Sequence, residues 1–195
     1  MAATRVERVG VATATTLPIL LAASAGHLLN DTLQSVLLSI YPLIKEPLGL
    51  SFAQIGLVTL VFQLTASVLQ PFVGAWTDRR PMPFSLVFGM AASSFGIALL
   101  AGAGGFLAVL TAAAAIGVGS SIFHPEASRV ARLASGGRYG FAQSLFQVGG
   151  NSGQALGPLL VAAIVVPNGQ PHVAWFLGLG LVGIALLYRV GRWYA

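Results

Sequence analysis

Six apolar runs, each ended by glycine, proline or charge, constrain this chain more than any other feature. They occupy roughly residues 17–44, 52–76, 84–103, 106–128, 141–166 and 173–188. A helix needs about 20 predominantly apolar residues to cross a bilayer, and six such helices account for most of the 195 residues. The breaks carry turn chemistry: Lys45 to Gly49 with Pro47 between, Asp78-Arg79-Arg80-Pro81, Gly102 to Gly105, Ser135-Gly136-Gly137, and Pro167 to Pro171. Glycine and proline punctuate helices. None of the runs shows the short alternating pattern of barrel strands. In lipid, a helix satisfies its own backbone hydrogen bonds, so an all-α membrane bundle of six helices is the expected fold.

Charge supports this. Asp, Glu, Lys and Arg make up 8% of the chain, about a third of the roughly 25% found in soluble domains. That is too little to cover a water-facing surface, which excludes an ordinary soluble enzyme and a disordered protein. The net charge of +5 does not point to nucleic acid, because the basic residues sit singly or in pairs at the ends of apolar runs. With six crossings, Arg5, Arg8, Arg79, Arg80, Arg129, Arg132, Arg138, Arg189 and Arg192 share one side, and Lys45 alone lies on the other. Lys and Arg collect on the cytoplasmic side, so both termini are expected there, in a bacterial inner membrane. Residues 1–25 have the outline of a signal peptide ending at Ala23-Ser24-Ala25, but the apolar run continues past it, which favours a retained helix. Cysteine is absent, which excludes disulfides, thiolate zinc sites and cysteine nucleophiles. No metal or other cofactor is expected.

A faint internal repeat links Phe62-Gln63 and Gln70 in the second run with Phe146-Gln147 and Gln154 in the fifth, each pair offset by 84 residues. Three helices per repeat would make the second copy inverted, as in many carriers.

Polar residues inside a membrane helix tend to face the bundle interior or a water-filled path. At about 100° per residue, Ser24, His27, Asp31, Gln34 and Ser35 share one face of the first helix, with Asn30 at its edge. Asp31 is the lone acid at that depth and no Lys or Arg lies within two turns, which makes it the candidate for binding and releasing a proton. His27 is placed to relay that proton or to hydrogen-bond Asp31. In the fifth helix Gln143, Gln147, Asn151 and Gln154 form an amide stripe, next to a packing stripe of Gly150, Gly153 and Gly157. Thr59, Gln63, Ser67 and Gln70 form a similar polar stripe in the second. Asn30, Gln34, Gln63, Gln143, Gln147 and Asn151 are therefore the expected cavity residues. In the fourth helix His124 shares a face with Ser120, Ser121 and Ser128. Glu126 lies about 200° away and is expected to pair with Arg129 at the cytoplasmic rim, proton carriage being the alternative. Pro125 is a candidate bend.

Taken together, these residues resemble the major facilitator superfamily, N-terminal half. Gly74-x-x-x-Asp78-Arg79 is similar to the start of that family's loop motif, and Gly153-Gln154-Ala155-Leu156-Gly157-Pro158 to its fifth-helix antiporter motif. Gly26-His27-x-x-Asn30-Asp31, Phe123-His124-Pro125-Glu126-Ala127-Ser128-Arg129 and Gln147-Val148-Gly149-Gly150-Asn151 resemble the fosmidomycin resistance branch, which exports drugs. The resemblance implies two inverted three-helix repeats over 17–188, a cytoplasmic segment 1–16, and the start of a central loop at 189–195. It implies proton-coupled export of small molecules, with Gly74, Asp78, Arg79, Arg80 and Arg129 as a conformational lock. Asp78 can pair with a cation such as Arg129 or cap the adjoining helix end. Pro81, Met82 and Pro83 replace the motif's usual continuation, so Arg79 or Arg80 is the expected replacement for its usual cation. Leu160, Val161 and Ala162 follow Pro158 where paired glycines are usual, which weakens close packing there. The family's fourth-helix arginine is missing, so coupling falls on Asp31, His27, His124 and Glu126. The expected partners are protons, a small-molecule substrate, the lipid bilayer, and a missing C-terminal half or a second copy.

Two other readings stand beside this one. Gly150-Asn151-Ser152-Gly153 with His172 offers a Ser–His pair of the rhomboid protease type, but the two would lie about 15 Å apart in depth. The other is a fragment that does not transport alone.

Overall fold

The computed structural model describes residues 14–195. Arg5, Arg8 and most of the 1–16 segment lie outside the described residues. Within them the chain is helical: α1 (Leu17–Ser39), α2 (Tyr41–Lys45), α3 (Phe52–Val68), α4 (Gln70–Arg79), α5 (Ser85–Ala101), α6 (Phe106–Leu133), α7 (Tyr139–Leu160), a π-helical segment Val161–Val165, α8 (Val166–Asn168), a 3₁₀ segment Gln170–Phe176, and α9 (Leu177–Tyr194).

Local chemistry sets these boundaries. Pro18, Pro42 and Pro71 stand in the first turns of α1, α2 and α4, where a missing N–H costs nothing. Ser51 and Gln54 form a reciprocal capping box at the start of α3. Gly136 turns the chain at φ +59°, and a Cβ there would run into the backbone of Ala14 and Thr15, so any side chain would be excluded twice over. Pro125 lies within α6 without ending it. Ala23-Ser24-Ala25 sits well inside α1. The last helix runs to Tyr194 rather than stopping near 188, because Val190 and Tyr194 are buried on the bundle.

Among the described residues, four helical stretches are long and apolar enough to cross a membrane: Phe52–Arg79, Phe106–Leu133, Tyr139–Asn168 and Gln170–Tyr194. Ser85–Ala101 is apolar but shorter. The first helix, 23 residues long, is not among them, because His27, Asn30, Asp31 and Gln34 dilute its hydropathy.

Consecutive rods run antiparallel. At one end Thr16 N–H donates to Ala134 O, Arg129 reaches Thr77 and Tyr194, and Gly191 touches Pro83. At the other, Gln170 donates to the carbonyls of Leu100 and Ala103. α1 packs most extensively on α7, and α5 on α6. The α1–α7 seam is built on glycine. Gly149 lies against the Ser24 carbonyl, Gly153 against Leu28, and Gly157 against Ser35, the close approach that small residues allow. Beyond Pro158 the helix widens into the π segment. Phe62 and Phe146, the repeat-related pair, are both buried, while Gln63 and Gln147 beside them are exposed.

Candidate functional site

Asp31 is the centre of the polar interior. Its side chain is buried at mid-α1 and five side chains converge on it. Asn30 and Gln34 donate to Oδ1 at 3.3 and 3.1 Å, and Gln154 of α7 donates to Oδ2 at 2.9 Å. His27 Nε2 lies 3.4 Å from Oδ2, and His124 Nε2, from α6, lies 3.3 Å from Oδ1. The carboxylate thus ties α1 to α6 and α7. Among the described residues no Lys or Arg reaches it, as the sequence led one to expect; two imidazoles stand where a cation would.

Each imidazole is fixed from behind. His27 Nδ1 lies 2.9 Å from the Phe146 carbonyl, and its ring stacks on Phe146 with centroids 4.0 Å apart. His124 Nδ1 lies 2.9 Å from the Ser120 carbonyl. A carbonyl only accepts, so both Nδ1 atoms carry hydrogen and both Nε2 atoms face Asp31.

The rest of the α1 stripe differs from expectation in what it faces. Ser24 donates to Leu145 O at 2.7 Å and Ser35 packs on Gly153 and Gly157. This stripe is mostly the seam with α7. Asn30 is not a cavity residue: it is fully buried and accepts from Ser93 at 3.1 Å.

A cavity of about 420 Å³ opens beside Asp31, lined by Gln34, Gln63, Ser67, Gln70, His124 and Gln154 among others. Three of Asp31's partners, Gln34, His124 and Gln154, therefore stand between the buried carboxylate and the cavity. Gln147 and Asn151 are exposed on α7 outside that lining. Gln143 accepts from Ser128 at 3.3 Å and lines a second cavity, of about 460 Å³, with Gly74, Asp78, Arg129 and Arg132.

That second cavity marks the basic end of the bundle. Arg129 donates to the Thr77 carbonyl at 2.6 Å, to Thr77 Oγ1 at 3.1 Å and to the Asp78 carboxylate, and reaches the Tyr194 hydroxyl at 3.5 Å. Asp78's cation is thus Arg129 of α6. Arg79 and Arg80 make no ion pair among the described residues; Arg80 stacks over Trp76 instead. Arg129 Nη1 also lies 3.5 Å from Glu126 Oε1. Glu126 is not at an exposed rim, however. It is fully buried, Ser85 donates to Oε2 at 3.1 Å, and Oε1 has no hydrogen bond. Glu126 and His124 are not brought together. Gly150 presses on the His27 ring, so part of the packing stripe also positions the site.

Gln154 was expected in the amide stripe of the fifth helix but not among the cavity residues or as a partner of Asp31, and Ser93 was not expected at all. Ser93 had no signal, since a lone serine in an apolar run is unremarkable. Ser152 and His172 form no hydrogen bond with each other, and His172 Nδ1 has no partner at all among the described residues, so the protease reading has no dyad.

Comparison with known proteins agrees with this architecture. The chain is 58% identical to the fosmidomycin resistance protein of Escherichia coli (strain K12) over 181 residues, 93% of this chain and 45% of that one. It is 44% identical to the uncharacterized MFS-type transporter YfnC of Bacillus subtilis (strain 168), covering 44% of it. The chain thus spans a little under half the length of these relatives. A crystal structure of the peptide transporter POT superposes with a TM-score of 0.71 at 17% identity, covering 96% of this chain and 42% of that one. The Major Facilitator Superfamily profile matches residues 23–194, and the chain belongs to that superfamily, an all-α, integral membrane family of transporters rather than enzymes.

Proposed function

We propose that this chain is the N-terminal half of a proton-coupled secondary transporter that exports small molecules by alternating access. The observation that carries the reading is the buried Asp31 network placed directly behind a polar cavity, with Gln34, His124 and Gln154 common to both. A proton arriving between His124 Nε2 and the Asp31 carboxylate would strengthen the tie from α1 to α6, and so change which arrangement of the bundle is favoured. The exchanged molecule would occupy the cavity among Gln34, Gln63, Gln70 and Gln154, whose amides both donate and accept. Gln143, Gln147 and Asn151 continue the polar face toward the basic end, where the Arg129–Asp78 clasp would hold one conformation.

In this reading all six rods cross the membrane as two inverted three-helix repeats, with α3–α4 corresponding to α7. Both termini are cytoplasmic, in the inner membrane of a bacterium. The polar face is completed by a C-terminal six-helix half or by a second copy.

Fosmidomycin, named by the Escherichia coli relative, is the first substrate to try. The test is fosmidomycin resistance of cells expressing the protein together with its second half, wild type against Asp31→Asn. The expected result is loss of resistance and of pH-gradient-driven efflux at unchanged membrane abundance. Normal coupled efflux by Asp31→Asn would reject the assignment.

A further inference from the structure

We infer that His27, Asp31 and His124 form a binding site for one divalent transition-metal ion of the zinc class. The donor atoms of all three side chains lie within 4.8 Å of one another. Two imidazoles and a carboxylate are a donor set such metals favour.

The tautomers argue first. Both Nδ1 hydrogens are committed to backbone carbonyls, of Phe146 and Ser120. Neutral imidazoles would therefore aim two Nε2 lone pairs at a carboxylate, which also only accepts. Three electron-rich atoms facing one another in a buried pocket call for positive charge between them, as extra protons or as a metal ion.

Distance discriminates between the two fillings. A charge-assisted N–H···O bond settles at about 2.7–2.9 Å. The Nε2–carboxylate separations here are 3.4 and 3.3 Å. Ligands about 2.0–2.1 Å from a four-coordinate zinc stand about 3.3–3.4 Å apart. Each histidine already stands at that distance from one carboxylate oxygen, His27 from Oδ2 and His124 from Oδ1, so the ion would lie between the two rings and take the carboxylate from its face with both oxygens.

The surroundings are those of a supported metal site. Each ligating histidine donates its other N–H to a backbone carbonyl, which fixes ring and tautomer. The carboxylate is held by Asn30, Gln34 and Gln154. His124 borders the cavity, which gives an ion or a water ligand access to the site from that side. A bound ion would also supply the positive charge that no Lys or Arg provides at this depth.

The experiment is titration of the purified 195-residue chain in detergent with Co²⁺, followed by visible absorption, and with Zn²⁺ by competition. The expected result is one ion per chain with the intense absorption of a tetrahedral site. His172→Ala, which removes the third histidine of the sequence, keeps the affinity. His27→Ala and His124→Ala each lower it by more than about 100-fold, beyond the 10–100-fold typical of losing a supporting group. Far-UV circular dichroism and the milder His124→Gln separate ligand loss from misfolding, since a folded His124→Gln still loses the ion. No saturable binding, or binding that survives the His27→Ala/His124→Ala double variant, overturns the inference. Neither result depends on transport, so the transport reading stands or falls separately.

Discussion

Replacing Gly153 with alanine tests the glycine seam between α1 and α7. A Cβ built on Gly153 would lie 3.0 Å from both the Leu28 carbonyl carbon and the Thr32 nitrogen, and closer still to the Leu28 oxygen. Carbon contacts are comfortable at about 3.5–4.0 Å, and the Leu28 oxygen is the nearest obstacle, so α1 must recede by about 1 Å. The obstacles are backbone atoms, which no rotamer change can move, so the cost belongs at the upper end of the roughly 1–3 kcal/mol of overpacking. Alanine returns about 1 kcal/mol of helix propensity, leaving a net loss of about 2 kcal/mol. Gly56→Ala is the matched control: it lies inside α3 with nothing within 4 Å of its added Cβ, and should be neutral or gain up to about 1 kcal/mol. The same substitution therefore has opposite signs at two helical glycines. Thermal unfolding of the two variants in one detergent reads this directly. The receding α1 also lengthens the 2.9 Å bond from Gln154 to Asp31. Equal melting temperatures for Gly153→Ala and Gly56→Ala would refute the reasoning.

The clasp at the basic end makes a second prediction. Arg129→Ala leaves buried Glu126 without its nearby cation and frees Thr77, Asp78 and Tyr194; removing one partner of a buried pair costs about 3–5 kcal/mol, and thermal unfolding should register it, with Asp78→Ala much milder because that side chain is mostly exposed. A third concerns Gly150, which touches the His27 ring. Gly150→Ala should weaken Co²⁺ binding although it removes no ligand, and an unchanged titration would count against the ring's placement by α7.

Much of this was legible in the sequence because membrane solvent makes patterns strict. Apolar runs and their Gly/Pro breaks located the rods to within a few residues, since helices in lipid have few other ways to end. The convergence of His27 and Asp31 followed from i, i+4 spacing on one helix. The arrival of His124 from 93 positions further on did not, because no local period encodes which face of α6 meets α1. The same limit explains Asn30 and the α1 stripe. Spacing put Ser24, His27 and Ser35 on one face, but whether that face meets water or the glycines of α7 depends on interhelical packing. Glu126 lies beside Arg129 as its spacing suggests, but its full burial against Ser85 depends on how α5 meets α6, which no local period encodes. The π-helical widening after Pro158 had a partial signal in the departure at Leu160, Val161 and Ala162.

The polarity of α1 has a consequence for how the protein is made. Its histidine, serines and aspartate find partners on α7, 118–123 residues further along the chain. At a synthesis rate of about 5–20 residues per second, α7 emerges roughly 6–25 s after α1. During that interval α1 carries a carboxylate and an imidazole that already share one helix face but lack their partners on α6 and α7. α1 is thus made well before the helix that completes its environment, and it depends on the insertion machinery, or on neighbouring helices already in place, for the time between.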